Sequence, residues 1–173
     1  MNMSLPLTNI RGYVANEFSA LRTRALRDTL WAKLIGRNTK LARFPEGSIP
    51  KGPNRKMIGL QDISVKEIIG TLSRHSDFDH RFRPLKKNLL DRWINIYLLQ
   101  EREGWPPILV HKVGDAYYVE DGHHRVSVAR ALGIVFIQAK VWEYPSDSKP
   151  ARKGTGIECT EKSPVKAYTA ITE

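Results

Sequence analysis

Apolar and polar positions alternate with different periods along this chain, and the changes of period mark out its elements. From Leu85 to Arg102 the apolar residues Leu89, Leu90, Trp93, Ile94 and Tyr97 recur at helical spacing. That stripe predicts an amphipathic helix, with Gly104 and Pro106 placed to stop it. Pro107 to Val113 and Ala116 to Glu120 then read as two strands, and Gly114-Asp115 between them suits a hairpin turn. After the second strand comes Gly122, which supplies the permissive backbone of a sharp turn. Val126, Ala129 and Leu132 return to helical spacing, Gly133 stands where a C-terminal cap belongs, and Ile134 to Trp142 is again a β-branched, apolar run.

Upstream the pattern is less regular. Asn16 is a reasonable N-cap, with Glu17 in the first turn and Gly36 at the end of the run. Phe18, Leu21, Leu26, Leu30, Trp31 and Leu34 give this predicted helix a ragged apolar stripe. Arg22, Arg24, Arg27, Lys33 and Arg37 occupy much of the rest. Arg43 to Met57 holds three prolines and two glycines and reads as a linker. Met57 to Ile63 predicts a strand, and Ser64-Val-Lys-Glu67 matches a capping box ahead of a short helix ending near Gly70 or Ser73. From Pro145 onward the chain is polar and without period, and disorder is expected there. The organisation expected is a basic helical extension and linker over 1–56, a folded domain over 57–144, and a tail over 145–173.

Strand, glycine turn and helix meet at the most informative point of the chain, where the helix opens on His123, His124 and Arg125. A helix start exposes backbone N–H groups and the positive end of the helix dipole. With Gly122 these three residues form a candidate phosphate-binding loop. Arg125 has the fork to grip two phosphate oxygens. Glu120 and Asp121 precede the turn, and either suits the orientation of a histidine or of a metal-bound water. His111 reads as structural.

Asp121-Gly-His-His-Arg125, followed by Ala129 and Leu132-Gly133, resembles the ParB/sulfiredoxin superfamily, whose shared loop is a Gly-x-x-Arg or Gly-x-His-Arg turn on a helix start. The resemblance runs from about Leu60 to Tyr144. It implies an α/β (α+β) fold, a small mixed sheet with packed helices. Sulfiredoxins carry a catalytic cysteine directly after the loop glycine, where this chain has His123. Its single cysteine, Cys159, lies outside the resemblance, so sulfinic acid repair is not expected. The 29 residues after Tyr144 are expected to be too few for the DNA-reading and dimerisation domains of partition proteins. The loop wording is most similar to that of the free serine kinases of the superfamily. For them the resemblance implies ADP as phosphoryl donor and a carboxylate from the early part of the domain as base.

That part of this chain, Arg74 to Pro84, packs two histidines, two aspartates and three arginines into eleven residues. Asp77 and Asp79 are candidates for holding Mg²⁺ on a nucleotide or for general base work. If the segment is extended, both carboxylates face one side while Phe78 anchors the other. The alternative is a polar loop with local Arg–Asp pairs. His75 and His80 with the aspartates would make a zinc set only of unorthodox spacing.

Composition then narrows the partners. The chain has 173 residues, 41% hydrophobic content and a net charge of +10, which fits one principal core. No apolar run approaches the ~20 residues a membrane span needs, and no secretory signal is visible, so a cytoplasmic setting is expected. Residues 1–60 hold 11 Lys/Arg against 3 Asp/Glu, a net +8, while residues 61–144 hold 12 against 11. Charge so localised suggests an acidic partner, most simply DNA, met by Arg22, Arg24, Arg27, Lys33 and Arg37. A solvated cationic face is the plainer alternative; for the apolar face of the helix, docking on its own domain with the arginines outward is expected, which is compatible with presenting the basic side. The function expected is a ParB-like protein binding a nucleoside di- or triphosphate with Mg²⁺ and associating with DNA, as a nuclease-type enzyme or a nucleotide-gated binder. The alternatives are a small-molecule phosphotransferase resembling free serine kinases and a non-catalytic adaptor.

Overall fold

In the computed structural model, residues 7–45 and 55–144 are described. Most of the expected linker, the expected tail and Cys159 lie outside them. The chain order is α1 (Leu7–Leu34), β1 (Ala42–Arg43), β2 (Lys56–Ser64), β3 (Ile68–Thr71), α2 (Leu90–Arg102), β4 (Ile108–Val113), β5 (Ala116–Asp121), α3 (His123–Ala131) and β6 (Phe136–Tyr144). Six strands form one mixed sheet in the order β1-β3-β5-β4-β6-β2. The β4–β5 hairpin turns at Gly114 (φ 59°), and its two strands are antiparallel. β3 runs parallel to β5, and β4 runs parallel to β6. The architecture is the expected mixed α/β one.

Alternation along the central strands divides the sheet into two faces. Val110, Val119 and Val141 belong to one core with Trp93 and Ile94 of α2, Val126 and Ala129 of α3, and Val14 and Phe18 of α1. His111, Tyr118 and Tyr144 lie on the other face, where the Phe44 ring meets all three edge-on at 5.3–5.5 Å.

Two expectations are corrected here. The capping box at Ser64 makes no side-chain cap. Only a 3₁₀ turn over Val65–Glu67 forms before the chain becomes β3. Gly70 explains why: an added Cβ would lie 2.5 Å from the Ala42 carbonyl oxygen and 2.5 Å from Tyr118 Cδ1. The glycine therefore allows close strand packing and does not terminate a helix. Secondly, the core does not begin at 57: the basic helix docks by its apolar face, as expected of that face, and shares the same core. Its described span begins at Leu7, with Asn16 exposed in mid-helix, and Phe18 packs edge-on against Trp93 at 5.7 Å. β1 is a strand of the same sheet.

The apolar stripe of α1 also divides. Val14, Phe18, Ala25 and Ala32 are buried, whereas Leu30, Trp31 and Leu34 are 65%, 65% and 78% exposed. Polar contacts fix the helix as well. Arg22 Nε donates to the Leu85 carbonyl at 3.1 Å, and Arg83 reaches Asp28 at 2.9 Å.

Candidate functional site

The parallel strand β3 ends at Thr71 beside Val119, β5 runs on to Asp121, and α3 begins just beyond it. Crevices at the carboxyl ends of parallel strands are where open α/β sheets take ligands. Gly122 makes the turn with φ 105°, and Ile108 fills the space a side chain would need. No side chain caps this helix. Val126 N–H reaches back to the Gly122 carbonyl at 3.0 Å, so the N–H groups of His123, His124 and Arg125 precede the helical bonding pattern.

The three side chains of the loop have distinct surroundings. Thr71 Oγ1 lies 2.6 Å from His123 Nε2 and also accepts the backbone N–H groups of Ser73 and Arg74 at 3.1 and 3.0 Å. Two accepted bonds use the oxygen's lone pairs, so its hydrogen goes to His123. That assigns His123 as the neutral Nδ1–H tautomer. His124 is 5% exposed, and its Nε2 has no partner among the described residues. Burial, above all, lowers both imidazoles to about 4, with repulsion from Arg74 on His123 and from Arg92 and Arg74 on His124. Phe78 holds the pair in place, stacked on His123 at 6.3 Å and edge-on to His124 at 5.4 Å.

Arg125 does not extend a free fork. Its Nη1 donates to the carbonyls of Pro106 and Pro107 at 2.7 and 2.8 Å, and its Nη2 donates to the Asp121 carboxylate. The guanidinium staples the approach to β4 onto the start of α3. Asp121 holds Arg125 and no histidine of the loop. Glu120 does orient a histidine, but it is His111 on the opposite face, at 2.5 Å. His111 Nδ1 in turn meets the Tyr144 hydroxyl at 3.0 Å.

The two aspartates of the preceding loop also separate. Asp79 is 0% exposed. Its Oδ1 accepts the N–H groups of Arg81 and Arg83 at 3.0 and 2.8 Å, and its Oδ2 takes the Arg83 guanidinium at 2.6 Å. This is a loop-organising carboxylate with its acceptors spent, and the expected pair of redundant carboxylates does not form. Asp77 instead pairs with Arg74 at 3.1 Å and Lys86 at 2.6 Å. Burial pushes its carboxyl up, but bonds and charge from Lys86 and Arg74 outweigh this and hold it below the usual value. Among the described residues no cluster of three or more His, Cys, Asp or Glu is placed to hold a metal ion.

Thr71, Lys86 and Arg92 are site neighbours that sequence reasoning missed. Thr71 lay inside the wrongly expected helix, and Lys86, ahead of α2, and Arg92, within it, carry no motif that marks them as site residues. Arg22 of α1 is spent on Leu85, whereas Arg24, Arg27 and Lys33 of α1 and Arg37 just beyond it are exposed. Among the described residues no helix is long and apolar enough to cross a membrane.

No protein-family model matches the chain, and no curated protein matches it. Among solved structures, sulfiredoxin from Arabidopsis thaliana is similar, with 22% sequence identity and a TM-score of 0.37. The match covers 47% of this chain and 82% of that one. A partial likeness of this kind assigns no activity.

Proposed function

We propose that the N-terminus of α3 binds the phosphate of a nucleotide. The observation that carries this reading is the helix start at Gly122, without a side-chain cap among the described residues, beside His124, a buried imidazole whose Nε2 has no partner among them. Backbone N–H groups of His123, His124 and Arg125 are the phosphate donors, and Arg74 supplies a cation beside them. Arg125 acts by holding the turn. Asp77 is the carboxylate suited to Mg²⁺ on the nucleotide. Its lowered pKa keeps it ionised and makes it a weak general base. Asp79 is assigned to loop structure.

A second reading, DNA association, rests on the exposed Arg24, Arg27 and Lys33 of α1 and Arg37 just beyond it. Docked by Val14 and Phe18, the helix is able to present these cations without leaving its core.

The test is a thermal-shift panel of nucleoside di- and triphosphates with and without Mg²⁺, on the wild-type chain and on Arg74→Gln. A ligand that binds the native state raises the melting temperature in proportion to RT ln(1 + [L]/Kd). A nucleotide-dependent rise that shrinks in Arg74→Gln supports the reading. No rise with any nucleotide, or an undiminished rise in the variant, rejects it.

A further inference from the structure

A cleft of about 470 Å³ opens at the other end of α3, and none of its lining residues belongs to the Gly122–Arg125 loop. Its floor is apolar, made by Leu21 of α1, Val65, and Ile134 and Val135 of the turn into β6. Among the described residues, four basic ones, Lys66, Arg81, Arg83 and Arg130, line it, and no carboxylate does.

Their charges are not equally satisfied. Arg83 is neutralised from beneath by Asp79 and Asp28. Arg130 donates to the carbonyls of Ile68 and Val65 at 2.7 and 3.1 Å and lies over the Phe82 ring at 5.0 Å. It has no ion pair among the described residues, and neither do Lys66 and Arg81, which are exposed at the rim. Ser127, 3% exposed, adds a neutral donor: its Oγ accepts the Trp93 indole N–H at 3.0 Å, leaving its own hydrogen for the cleft.

We infer that this cleft is a second binding site, for a small organic oxyanion: a compact apolar body carrying one carboxylate or phosphate. The volume falls in the range of small-molecule sites, about 300–1,000 Å³. An apolar floor gives area for the body, and unpaired cations at the rim meet the head group. A simple anion would leave the floor wet. An uncharged apolar molecule would leave the cations unmet.

The test is an amide ¹H–¹⁵N titration of the full chain with phenyl phosphate and with phenylacetate, beside inorganic phosphate and benzyl alcohol. We expect saturable shifts at Ser127, Arg130, Ala131, Gly133, Ile134 and Val135 with one or both aromatic anions. Whichever binds more tightly identifies the head group. The double variant Lys66→Ser/Arg81→Ser, altered only at exposed positions, should bind about tenfold more weakly, the effect of two half-screened contacts. Ala131→Trp, which fills the cleft from an exposed position, should abolish the shifts, and Arg74→Gln should leave them intact. The inference is overturned if neither anion shifts these amides, if either control binds as tightly, or if the double variant retains full affinity. Shifts confined to residues 122–125 would also overturn it, by placing the ligand at the loop.

Discussion

The Thr71 hydroxyl and the His123 imidazole are joined by a 2.6 Å hydrogen bond across the ends of β3 and α3. Because the same oxygen accepts two backbone N–H groups, it fixes both the fold of the residues after β3 and the tautomer of the loop histidine. Thr71→Val is nearly isosteric and removes all three interactions. It should cost about 1–3 kcal/mol, since the buried His123 Nε2 loses its donor and two part-buried backbone N–H groups lose their acceptor. Imidazole ¹⁵N shifts at neutral pH should show His123 as the Nδ1–H form in the wild type and a tautomer mixture in the variant. A pure Nε2–H form in the wild type would reverse the assignment.

Arg125→Ala should destabilise the free protein by about 1–2 kcal/mol in urea denaturation, because the buried guanidinium's hydrogen bonds to the carbonyls of Pro106 and Pro107 and to the largely exposed Asp121 carboxylate are lost. Arg24→Ala, at an exposed position, should stay within about 0.5 kcal/mol of wild type. Equal and small effects would show that Arg125 is not the staple of the turn.

Much of this arrangement was legible in the chain, and the failures have physical causes. Gly122, Gly114 and Gly133 each mark a positive-φ turn that the sequence placed correctly, because few other residues tolerate that backbone. The apolar face of α2 was readable from its strong period. β3 was not: Ile68-Ile69-Gly70-Thr71 is too short for a period, and a capping-box signal lay directly before it. The partners of Arg125 were invisible as well, since the bond to Pro106 depends on how β4 approaches α3. His111 and Glu120 meet only through the bulged pairing of β4 with β5.

Acid should weaken the fold through the loop histidines. Both titrate at about 4 in the folded chain, against an ordinary value of 6.5. Above pH 6.5 they are neutral in both states and contribute nothing to the pH dependence. Between 6.5 and 4 the unfolded chain binds protons that the folded chain refuses, so stability falls as pH falls. Each histidine accounts for roughly 2 kcal/mol between pH 6.5 and 5. His124→Phe, which keeps the edge-on contact with Phe78, should therefore lose about 2 kcal/mol less than wild type between pH 7.5 and 5. Parallel losses in the two proteins would show that His124 is not held neutral.

Asp77 and Asp79 should behave differently. Asp79→Asn breaks a buried pair with Arg83 and should cost about 3 kcal/mol of stability, lowering nucleotide binding only through unfolding. Asp77→Asn should leave the melting temperature within a few degrees of wild type and reduce the Mg²⁺-dependent part of any nucleotide shift. A stable Asp79→Asn protein with lost Mg²⁺ dependence would exchange the two roles.

If α1 contacts DNA, replacing Arg24, Arg27, Lys33 and Arg37 together by Ser should reduce the slope of log affinity against log salt by about 3–4, at about 0.9 per phosphate contact on duplex DNA. Circular dichroism should show the helix retained, since none of the four is buried. An unchanged slope would make these residues a solvated face.

The phosphate site at the start of α3 is tested most directly by titrating the ¹⁵N-labelled chain with ADP and Mg²⁺ and following the backbone amides of His123, His124 and Arg125. The account predicts saturable downfield shifts at these three amides, accompanied by a rise in the pKa of His124 as an anion comes to stand beside it. Saturable binding that leaves all three amides unmoved, or no binding at millimolar nucleotide, would contradict it.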